Sequence, residues 1–342
     1  MNIEWNKYTL SSKMIFDSKI EYILIIAKNK KILISYKTNI KIFNIMTLKE
    51  EGEIILGNED PIENLYLLKN ELISIISKND IYLIKLFENN TYELYQKLEF
   101  EENIKHLIEL KNLNLCIVSL NNIYIYSLND DNKYINLFTL KEDFQSYEKG
   151  LNESCIELIY EEKNIKNKIA VFLYNAARLS FWDLNKKEKI NDTKNNNCNT
   201  YDNKNIFCLM DKGKYLLCAC IDESIHFYST EKCEFIKTLQ DPYWHISVLK
   251  LGENQILSGG DFGTITYYEF DFNSEIFNND EKYLDMDDTK KIEKQIHRED
   301  EEEIIGHEKC ISEIYRLNNT IISTSCYEKD KYTHICFWNK KL

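Results

Sequence analysis

Glycine and proline are scarce in this chain, with nine Gly and two Pro (Pro61 and Pro242) in 342 residues. A fold whose turns rest on Gly-rich or Pro-rich loops is therefore excluded. The turns must use Asn, Asp and Lys, and Asn tolerates the left-handed backbone that many turns need. Arginine is scarcer still, at three residues (Arg178, Arg298, Arg316), and acids outnumber bases to a net charge of −13. Neutralising phosphates takes clustered cations, so this balance weighs against nucleic acid as a partner. Small basic patches such as 28–31 read as solvated turns. Long apolar runs are also missing. The run YILIIA at 22–27 is far below membrane-spanning length, and residues 1–10 are too polar for a targeting signal. A soluble intracellular protein, cytoplasmic or nuclear and without membrane contact, is expected.

No Cys-x-x-Cys occurs among the ten Cys, most of which lie in apolar strand-like runs. They read as reduced core residues, and Asn-x-Ser/Thr matches then carry no glycosylation. Cys218 and Cys220 would share a strand face but lack further ligands for zinc. The six His are dispersed, with no Ser/His/Asp or Cys/His order. No catalytic residue, metal site or cofactor is expected.

What is present is apolar alternation. At 44% hydrophobic and 13% aromatic residues there is material for a large core. A chain this long usually implies two domains, but repeat architectures are exempt, because each unit buries its face against its neighbours. Seven alternating runs recur: IKIFNI (40–45), IYLIKL (81–86), IYIYSL (123–128), LSFWDL (179–184), IHFYST (225–230), ITYYEF (265–270) and ICFWNK (335–340). Their starts are 41, 42, 56, 46, 40 and 70 residues apart, against about 40–45 for a four-stranded unit; the longest gaps mark insertions. Each is preceded by a second strand, at 31–35, 71–75, 113–118, 168–172, 215–219, 255–258 and 320–323. Strand–turn–strand order without helical periodicity predicts an all-β fold. Residues 186–205 and 271–303 interrupt the pattern as low-complexity and acidic loop insertions, and so polar a composition predicts partial disorder in the latter. A smaller excursion, 141–153, carries Phe144 and Tyr147.

The segment 306–342 carries a family resemblance. It opens on Gly306-His307, has strand-like residues at 311–314, turns at Asn318-Asn319, continues at 320–325 and ends on Trp338-Asn339. That order resembles one unit of the WD-repeat β-propeller family, whose units run from Gly-His to Trp-Asp; Asn339 stands where the family prefers Asp. The resemblance implies a single seven-bladed propeller over 1–342, its ring closed by pairing an N-terminal strand, here 5–10, with the C-terminal blade. It implies structural roles for His307 and Trp338, joined through Ser323 or Ser325. Trp182-Asp183 is the one literal Trp-Asp, and Asp222 holds the family's turn position. Elsewhere the motif has decayed, with Ala176 and Phe262 at matching positions.

One stretch points to a working surface. Tyr243, Trp244 and His245 follow Pro242 and lead into the sixth inner strand, on the face where the family engages partners. Aromatic side chains of this kind anchor interfaces. Phe262 and Arg178 fall in turns on that face. Two readings stay open for Trp244, an interface anchor or a cap over its own sheet. Gly260-Asp-Phe-Gly263 contains a kinase-like triplet, but the companion kinase motifs are absent, so it reads as a turn made tight by Gly259, Gly260 and Gly263. The expected function is a non-enzymatic scaffold or adaptor in a larger protein complex. The alternatives are an acidic carrier for basic clients such as histones or ribosomal proteins, drawn by 299–303, and a propeller-supported hydrolase. A ubiquitination-adaptor signature Trp-Asp-x-Arg is absent, since Asn185 stands in place of Arg.

Overall fold

An alternating apolar run can bury one row of side chains only if its backbone donors and acceptors are paired, which places it inside a sheet. In the computed structural model every one of the seven runs is such a strand. The residues described are 8–16, 20, 22–26, 28, 30–119, 121–141, 153–173, 178–194, 206–220, 223–240, 245–260, 263–274, 277, 283–284, 290–294, 311–325 and 333–340.

The chain begins with β1 (Tyr8–Phe16). Sheet one is β2 (Tyr22–Ile26), β3 (Lys31–Tyr36), β4 (Asn39–Asn44) and β5 (Glu50–Ile55). Sheet two is β6 (Asn64–Leu67), β7 (Leu72–Ser77), β8 (Asp80–Leu86) and β9 (Tyr92–Glu99). Sheet three is β10 (Ile104–Glu109), β11 (Leu115–Ser119), β12 (Asn122–Leu128) and β13 (Tyr134–Lys141). Sheet four is β14 (Glu153–Tyr160), β15 (Ile165–Leu173), β16 (Arg178–Asp183) and β17 (Glu188–Lys194).

Sheet five runs β18 (Phe207–Met210), β19 (Tyr215–Cys220), β20 (Ser224–Ser229) and β21 (Glu234–Gln240). Sheet six starts with β22 (His245–Gly252), β23 (Gln255–Gly260) and β24 (Ile265–Glu269). The insertion after β24 then gives β25 (Tyr283–Leu284), a fifth strand on sheet five, and β26 (Lys290–Lys294), the outer strand of sheet six. Sheet seven holds β27 (Ile311–Leu317), β28 (Thr320–Ser325) and β29 (Thr333–Lys340), with β1 as its fourth strand. The fold is a seven-bladed β-propeller, and pairing of the N-terminal strand with the C-terminal sheet is as expected. The pairing strand starts later than 5–10, at Tyr8, and Trp5 lies outside the described residues.

Contacts gather into two compact units, Met1–Ile15 with Gly150–Leu342, and Phe16–Lys149. In the second, Leu33, Ile42, Ile73 and Ile84 join sheets one and two, while Ile76, Leu83, Leu107 and Ile117 join two and three. In the first, Phe172, Phe181 and Tyr228 join sheets four and five, and Leu257, Tyr267, Ile314 and Trp338 join six and seven. Each such side chain taken out of water contributes about 1.5–3 kcal/mol. Lysine and asparagine occupy many of the left-handed turn positions, for example Lys37, Lys78, Asn90 and Asn132, all at positive φ. That is how the chain turns with so little glycine.

One expectation is corrected, and one is not reached. Phe270, Phe272 and Phe277 are buried against Tyr215 and Phe227 of sheet five, while most of 271–303, where partial disorder is expected, lies outside the described residues. The acidic run 299–303 lies outside the described residues. Among the cysteines, Cys116, Cys155, Cys208, Cys218, Cys233 and Cys336 are free and buried, but Cys220 is disulfide-bonded, against the expectation that all are reduced.

Candidate interaction surface

Sheet six positions the stretch singled out above. Its first strand begins at His245, so Tyr243 and Trp244 lie two and one residues before the sheet; both fall outside the described residues, as do Phe262, Asp222 and His307. His245 itself points inward. It is 2% exposed, its Nδ1 shares a 2.9 Å hydrogen bond with Ser258 Oγ, and its ring meets that of Tyr268 edge-on at 5.7 Å. A buried imidazole held this way positions the end of the loop, and its own surface is not accessible to a partner. The signal was present in the sequence: Tyr268 stands at the strand position that Trp338 holds in the last repeat.

The same construction recurs in sheet seven. The Trp338 indole N–H donates to Ser323 Oγ at 2.7 Å, with both side chains buried. In sheet four the Trp182 indole donates to Ser180 Oγ at 3.0 Å, and Lys189 Nζ lies 5.1 Å from the Trp182 ring centre. Asp183 closes the following turn, its Oδ1 accepting the backbone N–H groups of Asn185 and Lys186. Arg178 is the first residue of β16, opposite Leu173 and Lys194.

Two buried polar groupings went unnoticed in the sequence. In sheet five, His226 bridges Ser224 Oγ at 3.0 Å and Thr238 Oγ1 at 2.7 Å through its two ring nitrogens. Between sheets two and three, His106 Nδ1 and Tyr66 Oη share a 3.1 Å bond, and Asn64 Nδ2 donates to the same Tyr66 oxygen. In each, two members sit two residues apart on one strand, Ser224 with His226 and Asn64 with Tyr66, and the third, Thr238 or His106, comes from another strand, which no local spacing shows. Ser–His adjacency in sheet five has the chemistry of a nucleophile and base, but Ser224 is buried and the imidazole is engaged on both sides. Among the described residues no group of three His, Cys, Asp or Glu is arranged to hold a metal ion.

Close packing fixes the sheet-six strand ends. A Cβ at Gly259 would lie 2.7 Å from both Ile311 Cγ2 and Ser247 Oγ, and Gly263 has φ +71°. Glycine is required at the first position for space and at the second for backbone conformation.

No family model matches the chain, and no curated protein matches it by sequence. Solved structures do. The chain is similar to one from a crystal structure of the mitotic checkpoint complex, at 10% sequence identity and a TM-score of 0.66, across 99% of this chain and 94% of that one. Such low identity carries the architecture alone. The chain has the fold of a WD40-type seven-bladed β-propeller.

Proposed function

We propose that the chain is a non-enzymatic scaffold for protein–protein contacts, an adaptor subunit of a larger intracellular complex, acting as one domain over residues 1–342 in the cytoplasm or nucleus. One observation carries the reading. The buried histidines and indoles of the described sheets pair with neighbouring hydroxyls, His245 with Ser258, Trp338 with Ser323 and His226 with Ser224 and Thr238. Groups able to do acid–base chemistry thereby hold sheets together. Beside them, the chain offers turns on a rigid frame, with Tyr243 and Trp244 adjacent to the anchored His245. Aromatic anchors on such a frame bind at low entropic cost. The similarity to a chain that works within a multiprotein complex supports the same reading. Arg178 and Phe262 are proposed to extend the contact.

Affinity purification with the wild-type chain and Trp244→Ala tests it. Partners should be lost with Trp244→Ala while the unfolding midpoint is unchanged. Retention of every partner, or a midpoint lowered as a core substitution would lower it, would assign Trp244 to its own sheet instead.

A further inference from the structure

An outer strand has a neighbour on one side only, so its other edge is open to a foreign strand, and charged side chains keep such strands away. β5 carries Glu50, Glu51 and Glu53, and β9 carries Glu93, Lys97 and Glu99. β13, the outer strand of sheet three, is built differently. From Tyr134 to Leu140 it has no charged residue, and Ile135 and Leu137 are 48% and 54% exposed. Leu137 is the bulged residue, left without a partner on β12.

The main chain of this edge already takes a strand-like partner. Gln96 of β9 donates from Nε2 to the Tyr134 carbonyl at 2.8 Å, and its Oε1 accepts the Tyr134 N–H at 2.8 Å. One side-chain amide thus serves Tyr134 as an added strand would. Outward main-chain groups recur at every second residue of an antiparallel strand, so the next pair belongs to Asn136. The two ends of β13 differ in charge. Asp130 and Asp131 are exposed in the turn before it, and Lys141 is exposed at its last position. Lys133, the lysine next to these acids in sequence, is turned to Tyr95, its Nζ 2.8 Å from that carbonyl and 4.7 Å from the ring centre.

We infer that the outer edge of β13 is a self-association surface whose occupant is a second copy of this chain, docked antiparallel about a two-fold axis. A two-fold interface uses one patch twice, so the patch must complement itself. An antiparallel register centred on Asn136 sets Ile135 of each copy opposite Leu137 of the other. The same register sets Lys141 opposite Asp131. One alignment therefore matches the exposed apolar residues and the opposite charges together, whereas parallel docking would bring like ends together. The bulge at Leu137 confines main-chain pairing to the few residues around Asn136. An interface of one short strand pair is of the small, weak class, under about 1,200 Å², so the dimer is reversible. The surface shares no residue with the 241–245 loop, and either can fail without the other.

Sedimentation velocity of the full-length chain over about 1–200 µM tests it. The weight-average mass should rise from monomer towards dimer across that range. Leu137→Lys should raise the dissociation constant by about tenfold or more, since it sets a charge in the centre of the patch, and should leave the unfolding midpoint unchanged because the residue is exposed. Ile135→Lys gives the same reading should the first variant unfold. Lys141→Asp and Asp131→Lys should each weaken association, and the two together should restore it, because each copy then carries the exchanged pair. A monomer at every concentration would overturn the proposal and leave the edge to a strand of another protein. A dimer indifferent to Leu137→Lys and Ile135→Lys would overturn the assignment to β13. Failure of the exchanged pair to recover association would overturn the antiparallel register.

Discussion

The Trp338 indole N–H donates to the Ser323 hydroxyl at 2.7 Å, across the ladder between β28 and β29 in the closing sheet. Both ends are buried. Removing the hydroxyl would leave the indole donor without this acceptor in an apolar surround. Ser323→Ala should therefore cost about 1–3 kcal/mol, read as a lower urea midpoint with unchanged m-value. Trp338→Phe in the Ser323→Ala background should cost less than the two changes summed. Strict additivity would argue that the bond contributes nothing.

Gly259 lies at a close approach between sheets six and seven. A methyl there meets Ile311 Cγ2 and Ser247 Oγ, each at 2.7 Å. Gly259→Ala should destabilise by about 1–3 kcal/mol through overpacking. Ser247→Ala in the same protein should restore part of it by removing the contacting Oγ, a rescue that thermal unfolding would detect.

The first strand is held at the edge of β29, where the Ser11 hydroxyl donates to the Phe337 carbonyl at 2.8 Å. Deleting residues 1–12 removes the first half of β1 and exposes part of β29. With each lost ladder bond worth about 1 kcal/mol net, the melting temperature should fall by several degrees or more. An unchanged melt would count against a structural role for β1.

Thiol and phenol ionisation sets an alkaline limit. Burial pushes Cys208 from its ordinary 9.0 up to about 12, slightly opposed by Lys250. Cys336 is likewise raised to about 12 by burial, with Lys13 opposing. Burial, then the charge of Glu269, raises Tyr267 from 10.0 to about 12. Each folded-state value lies above the unfolded one, so the neutral form is favoured by folding. That stability is complete below about pH 9 and is lost as pH rises towards 12. Urea midpoints should be flat with respect to these groups from pH 7 to 9 and fall above it. Native Cys208 and Cys336 should resist iodoacetamide at pH 8; rapid alkylation without unfolding would contradict their burial.

Much of the fold was legible because strand alternation is local. All seven third strands and seven second strands fall where the apolar runs placed them, within a residue or two at most ends. The burial of Phe272 and Phe277 in the insertion after β24 was not legible, because average polarity hides them and their burial depends on a neighbouring sheet. His245 was grouped with Tyr243 and Trp244 by adjacency. Along an extended strand, neighbouring side chains point to opposite faces, and His245 takes the face that meets Ser258.

By itself the sequence determined the second and third strands and the seven-fold repeat, and its resemblance to the WD-repeat family implied that an N-terminal strand completes the last sheet. Periodicity and turn composition act within a few residues, and they survive any choice of neighbours. Only the tertiary structure decided which polar groups meet, as with His226 between Ser224 and Thr238, or Tyr66 with His106. It alone sent the insertion across to β21 to form a fifth strand. These pairings depend on register within a sheet, as at Thr238, and on packing between sheets, which brings together residues forty positions apart, as with Tyr66 and His106.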